Sequence, residues 1–237
     1  MRTTGQVFLD YNPSDMFSWI YDHVLTRDDT KLIKSTYLDN PFLEEAIVKE
    51  IERYKGVDKN YWSVYGLGER GVSETTIYTH WEYCDKIPDN CDDIIYGLDF
   101  GYNNPSALVK IGIKDRDYYW EELLYKSHLT NSQLIDEMKE VVPQHSYVYA
   151  DTAEPQRIVE IKKAGFNCLP SDKDVTKGID SIKAHKFYIT KQSINLLKEV
   201  KSYSWKEKDE IVLDEPVKLN DHLLDAGRYA IHTSAMT

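Results

Sequence analysis

In the stretch Ile94-Ile95-Tyr96-Gly97-Leu98-Asp99-Phe100-Gly101-Tyr102-Asn103-Asn104-Pro105, an apolar run ends on a carboxylate and a glycine turn follows at once. The apolar residues read as a buried strand, and the Gly and Asn-Asn-Pro signals read as its stop. Asp99 therefore sits at a strand end. Tyr147-Val148-Tyr149-Ala150-Asp151 repeats that geometry, and Asp221-His222-Leu223-Leu224-Asp225 adds two acids at the start of a helical pattern. Oxygen clusters of this kind suit hard divalent cations.

Outward from Asp99, further strands are expected at Ala107–Ile113 and Tyr118–Leu124, separated by Lys114-Asp115-Arg116-Asp117. With Ile94–Asp99 they form an antiparallel meander. A helix is expected over Ser132–Val142, capped by Thr130 or Asn131, then the strand Tyr147–Asp151. The next helix runs from Glu154 to Ala164, with Pro155 in its first turn and Gly165 ending it. Further helices are expected at Val175–His185, Ser193–Ser202 and Asn220–His232, the last with Asn220 as N-cap. Strands first and helix–strand alternation afterwards predict an α/β domain with a mixed sheet over residues 86–237.

Residues 1–85 form a different compositional unit, with Pro88-Asp89-Asn90 marking the change. Gln6-Val7-Phe8-Leu9-Asp10 reads as a short strand stopped by Asn12-Pro13, and Leu43, Ile47 and Ile51 recur at helical spacing. One strand with helices closes no sheet, so this segment is expected to be an incomplete domain, truncated or completed from outside the chain. Gly66-Leu67-Gly68-Glu69-Arg70-Gly71 is no P-loop, because no Gly-Lys-Ser or Gly-Lys-Thr follows.

The 237 residues, 41% of them hydrophobic, allow one large or two small domains. The start Met-Arg-Thr-Thr-Gly lacks an export signal, and no run of about 18 apolar residues occurs. The chain reads as soluble and not exported. Cys84, Cys91 and Cys168 lack disulfide or zinc spacing and fit a reducing compartment. The net charge of −11 argues against phosphate binding until its distribution is considered. Between Lys162 and Lys208 eleven lysines face five acids, either a solvated helical surface or a face that tracks phosphates.

Asp99 and Asp151 meet if their strands are neighbours, and a helix N-terminus can bring Asp225 with Asp221 or His222 from one face. Carboxylates crowded in this way repel unless a cation neutralises them. Two ions about 3.5–4 Å apart would clamp a phosphodiester. Each acid also has a simpler reading: Asp99 capping the glycine turn, Asp151 capping the following helix, Asp225 pairing with Arg228 on the surface.

Gly97-Leu98-Asp99-Phe100-Gly101-Tyr102, Ala150-Asp151-Thr152-Ala153-Glu154-Pro155 and Asp221-His222-Leu223-Leu224-Asp225-Ala226-Gly227-Arg228 together resemble the three acidic motifs of the nuclease domain of tailed-bacteriophage large terminase subunits. The resemblance implies a ribonuclease H-like α/β fold, a three-strand antiparallel meander plus parallel strands flanked by helices. It also implies a two-metal endonuclease that cuts concatemeric viral double-stranded DNA during packaging. Asp99, Asp151 and Asp225 would be its catalytic acids and ligands for two Mg2+ or Mn2+ ions, with Asp221 a further ligand and His222 an auxiliary catalytic residue. Lys173, Lys177 and Lys183 are candidates for DNA-backbone contacts. Phe8-Leu9-Asp10-Tyr11-Asn12-Pro13, Thr36–Leu43 and Trp62–Gly68 resemble the end of the family's packaging ATPase, so residues 1–85 would be its mostly helical remnant and linker. Expected partners are DNA, the small terminase subunit and the portal protein, in the cytoplasm of a bacterial host and away from membrane.

The Walker elements expected upstream are absent, so this chain alone is not expected to hydrolyse ATP. A truncated chain, a split gene and a decayed prophage copy all fit that gap, with the nuclease half complete. Two rival readings remain: an actin-like nucleotide-binding ATPase or kinase fragment, from the Asp-x-Gly form of Asp99-Phe100-Gly101, and a non-catalytic DNA-binding or motor-docking module.

Overall fold

A computed structural model describes residues 5–14, 19–56, 59–71, 75–208, 211–218 and 220–236. The chain divides into two compact units, residues 1–74 and 75–237. Among the described residues no helix is long and apolar enough to cross a membrane.

The first unit carries α1 (Trp19–His23), a 3-10 turn Tyr37–Asp39, α2 (Glu45–Arg53) and α3 (Lys59–Tyr61), which runs into a π-helical turn Trp62–Gly66. Thr36 and Asp39 cap the 3-10 turn reciprocally. Residues 6–10 are not a strand, contrary to the sequence expectation. Among the described residues they find no strand to pair with, and Val7, Phe8 and Leu9 stay exposed. The helix bearing Ile47 and Ile51 forms, starting after Leu43, but none of its residues is buried.

The second unit is built on a seven-stranded sheet of β1 (Trp81–Cys84), β2 (Asp93–Asp99), β3 (Ser106–Lys114), β4 (Asp117–Lys126), β5 (Tyr147–Ala150), β6 (Asn167–Pro170) and β7 (Phe187–Thr190), in the order β1-β7-β4-β3-β2-β5-β6. β2, β3 and β4 are the expected antiparallel meander, and β5 and β6 add to β2 in parallel. β7 pairs in parallel with β4, and β1 with β7. Asp115 and Arg116, both at positive φ, make the tight β3–β4 turn. Residues 75–85 pack with this unit: Ile77 and Tyr78 are in its core, and β1 completes the sheet edge.

The helices are α4 (Asn131–Val141), α5 (Pro155–Lys163), α6 (Val175–Lys183), α7 (Ile194–Ser202) and α8 (His222–Ser234), and a separate hairpin of β8 (Trp205–Lys208) and β9 (Ile211–Pro216) precedes α8. Thr130 caps α4 in a reciprocal capping box with Gln133. Gly165, at φ +103°, ends α5. Two cores lie on the two sheet faces. Tyr96, Leu98, Val148 and Ala150 pack with Leu134, Met138, Ile158 and Ile161 of α4 and α5. Ile95, Val109, Ile111 and Tyr149 pack with Ile179, Leu196, Val200, Leu223 and Ala226 of α6, α7 and α8.

Candidate active site

The pleat decides where the acids point. Side chains alternate along a strand, so Asp99 shares the α8 face with Ile95 and Gly97, and Asp151, just past β5, shares it with Tyr149. Leu98 and Ala150 are paired neighbours, and the Asp151 N–H donates to the Leu98 carbonyl at 3.1 Å. Asp99 and Asp151 thus stand side by side at the C-terminal ends of adjacent parallel strands, about 4.8 Å apart in strand spacing. Over them lies the first turn of α8, and His222 Nδ1 is 3.0 Å from Asp99 Oδ2. Asp225 follows one turn on and is close enough for its charge to act on Asp99.

Asp99 does not cap the glycine turn. That turn is closed by Ser106, whose Oγ donates to the Gly101 carbonyl at 2.8 Å and accepts the Gly101 N–H at 3.2 Å. Asp99 is 8% exposed, and burial first, then the Asp225 and Asp151 charges, push its carboxyl above the ordinary carboxylate range against the pull of His222. The bond to Asp99 in turn raises the His222 imidazole. The Asp151 carboxylate accepts the Ala153 N–H at 2.9 Å, an Asx turn just ahead of α5, whose N-cap is Glu154.

Each of these three acids has a basic partner: Asp99 has His222, Asp151 has Lys173 at 2.7 Å, and Asp225 has Arg228 at 2.8 Å. Arg228 is not on the surface, as the i+3 spacing suggested, but buried beneath α6, and its Cγ lies where a side chain on Gly178 would be. Among the described residues no three His, Cys, Asp or Glu side chains are gathered closely enough to hold a metal ion. The donor set is nevertheless all carboxylate oxygen, the chemistry that Mg2+ and Mn2+ prefer, and crowding at Asp99 is the repulsion that such an ion relieves. Lys173 reaches the site. Lys177 pairs instead with Asp174 at 2.9 Å in the first turn of α6, and Lys183 lies exposed in its last turn.

The start of α8 differs from the sequence expectation. Asn220 takes a positive φ of 51° outside the helix, and the N-cap is Asp221, which makes no side-chain capping bond. Glu199 of α7 does the capping: its Oε2 accepts the N–H groups of Leu223 at 2.8 Å and Leu224 at 3.0 Å. Sequence reading missed this residue, which stands in a lysine-rich helix 24 residues away. The only signal was one acid on the apolar side, between Leu196 and Val200.

Glu199 Oε1 makes no hydrogen bond of ordinary geometry, although Tyr125 is near enough for burial and the Glu199 charge to push its hydroxyl up to about 12. Burial lifts the Glu199 carboxyl to about 8, outweighing the two amide bonds that lower it. A folded-state value above the ordinary 4.5 gives stability that is complete below pH 4.5 and is lost as pH rises through about 8. Urea midpoints of Glu199→Gln should therefore gain on wild type steadily across that interval; parallel profiles would refute the burial argument.

Two family models match the chain, "Phage terminase large subunit" over residues 1–69 and "Terminase RNAseH like domain" over residues 99–233. The PBSX phage terminase large subunit of Bacillus subtilis (strain 168) is 25% identical over 87% of this chain and 51% of its own length. The large terminase subunit of Bacillus phage SPP1 is 26% identical over 94% of this chain and 58% of its own. The chain thus spans between 51% and 58% of the curated relatives it matches. Among solved structures, the large terminase of a thermophilic bacteriophage, in complex with ATP-gamma-S, aligns at TM-score 0.58 and 27% identity, covering 94% of this chain and 61% of that one. The SPP1 large-terminase nuclease domain with bound Mn aligns at TM-score 0.57 and 20% identity over 65% of this chain and 96% of that one, a likeness of fold.

Proposed function

Because the chain belongs to the phage large-terminase family through its terminase RNase H-like domain, we propose that it is a divalent-cation-dependent endonuclease acting on concatemeric viral double-stranded DNA during packaging. The observation that carries this reading is the convergence of Asp99, Asp151 and the His222–Asp225 turn at the ends of adjacent parallel strands. In open α/β sheets that edge is where sites form. We propose residues 1–85 as the end of the packaging ATPase domain and its linker, and the small terminase subunit and portal protein as partners in the bacterial cytoplasm.

In this reading Asp99, Asp151 and Asp225, with Asp221 beside them, would hold Mg2+ or Mn2+. Such ions supply Lewis-acid polarisation of the phosphate and an activated water, the two-ion form being the one proposed here. The chain's own residues do the rest. His222, oriented through Nδ1 by Asp99, presents Nε2 as the ring nitrogen that exchanges a proton with water or the leaving oxygen. Lys173, released from Asp151, adds a cation for a neighbouring phosphate, a contact that binds without reading bases.

The direct test is supercoiled plasmid with Mn2+, which should be nicked or linearised and protected by chelation. Saturable ATP binding without cleavage would favour the actin-like alternative, and cation-independent DNA binding without cleavage the docking module. The actin-like alternative already suffers from Asp225-Ala226-Gly227 lying within α8 rather than in a hairpin.

A further inference from the structure

We infer that Glu199 is a positioning residue of this site: from α7 its Oε2 clamps the first turn of α8 and so sets the placement of His222 and Asp225 over Asp99. This rests on the nuclease reading given above. A helix N-terminus leaves four N–H groups without helical partners, and they are ordinarily met by a side chain at the N-cap. Asp221 occupies that place in α8 and makes no such bond. Two of the four amides are taken by one oxygen from another helix.

The clamped residues are the two between His222 and Asp225, so the clamp fixes the turn that bears both. In an α-helix each residue advances about 1.5 Å and about 100° of rotation, and a slip by one residue would carry Asp225 to another face. The chain linking α7 to α8 runs through the β8–β9 hairpin, a longer path than the direct bond from Glu199. A surface Ser or Asp at the N-cap would stabilise α8 without desolvating a carboxylate. Glu199 is instead 2% exposed, and its Oε1 has Tyr125 nearby but no hydrogen bond of ordinary geometry among the described residues, a cost that helix stability alone does not require. Two amide bonds converging on one buried oxygen make the clamp directional.

The full chain is compared with Glu199→Leu, which removes the acceptor and keeps the bulk, and with Glu199→Gln, which keeps one acceptor oxygen. Calorimetry with Mn2+, plasmid-cleavage kinetics and the amide proton shifts of Leu223 and Leu224 are measured. Glu199→Leu should weaken Mn2+ binding by about tenfold or more, as loss of an outer-shell partner does, and lower kcat while leaving KM for DNA unchanged. Glu199→Gln should recover most of both. Wild-type Mn2+ affinity and kcat in a folded Glu199→Leu protein overturn the proposal, and so does equal loss in the two variants.

If Glu199→Leu does not fold, Glu199→Gln decides. Low-field Leu223 and Leu224 amides with cleavage retained support the clamp, whereas their loss with cleavage unchanged overturns it. Wild-type protein that neither binds Mn2+ nor cuts DNA defeats the nuclease reading and the role of Glu199 in it. The two amide shifts, read without metal, still report on the bond itself.

Discussion

Asp99→Asn is expected to lower Mn2+-dependent plasmid cleavage by about a hundredfold to a thousandfold while leaving the protein as stable as wild type or more so. On the proposed nuclease reading, the rate loss follows from removing an oxygen that would hold the cation. An ion held there contributes several kcal/mol to the transition state, and each 1.4 kcal/mol is about tenfold in rate. The stability gain follows from the same burial. Asp99 is raised above its ordinary 3.8 by desolvation and by the Asp225 and Asp151 charges, so folding favours its protonated form. That contribution is complete below the ordinary value and is lost as pH rises through the folded one, so the ionised carboxylate opposes folding at neutral pH. An uncharged isostere removes that opposition, and the His222 hydrogen bond partly offsets the gain. Cleavage rates and melting temperatures at pH 7, with and without Mn2+, test both halves. Full activity in this variant would remove Asp99 from the site.

The parts of this fold legible in the sequence are those with strong periodicity and local punctuation. β2, β3 and β4 announced themselves by long apolar or aromatic runs, and α4 and α5 by the Thr130-Asn131 cap, N1 proline and terminal glycine. β1, β6 and β7 were not legible. Each has four residues, as β5 does, too few for a period to be decisive by itself, and each exists because a neighbour supplies its hydrogen bonds. Residues 6–10 show the converse, having strand composition with no strand to pair against among the described residues.

At the site, the convergence of Asp99 and Asp151 followed from one inference, that their strands are neighbours, and β2 and β5 do pair in parallel. The cations were harder to see. Lys173 reaches Asp151 from the loop after β6, a placement fixed by packing; the Asp225–Arg228 pair follows from i+3 spacing, but the burial of Arg228 under α6 does not. Glu199 was illegible for the same reason: its meaning lies in two amides on another helix.

Gly97→Ala should be among the most damaging single-atom additions to this chain, although Gly97 touches no reacting group. A Cβ there would stand 1.9 Å from the Ala226 carbonyl oxygen, and that neighbour is backbone, which cannot rotate aside. One residue along α8, Gly227 lies against Trp120, where a Cβ would meet the indole at 2.1 Å. The helix is therefore seated between β2 and the Trp120 ring at a separation that only glycine permits at both positions. That separation brings His222 within 3.0 Å of Asp99.

Overpacking of this kind costs about 1–3 kcal/mol and at times more. At about 2–4 °C per kcal/mol for a domain of this size, the melting temperature should fall by roughly 5–10 °C. Cleavage should fall further than stability alone accounts for, because displacing a catalytic helix by about 1 Å costs on the order of a hundredfold. Gly56→Ala is the control, since a Cβ there would meet nothing within 4 Å, and both its stability and its activity should match wild type. A Gly97→Ala protein melting with wild type would mean that α8 is seated by something other than the two glycines. Activity lost without stability would mean that α8 tolerates a shift its site does not.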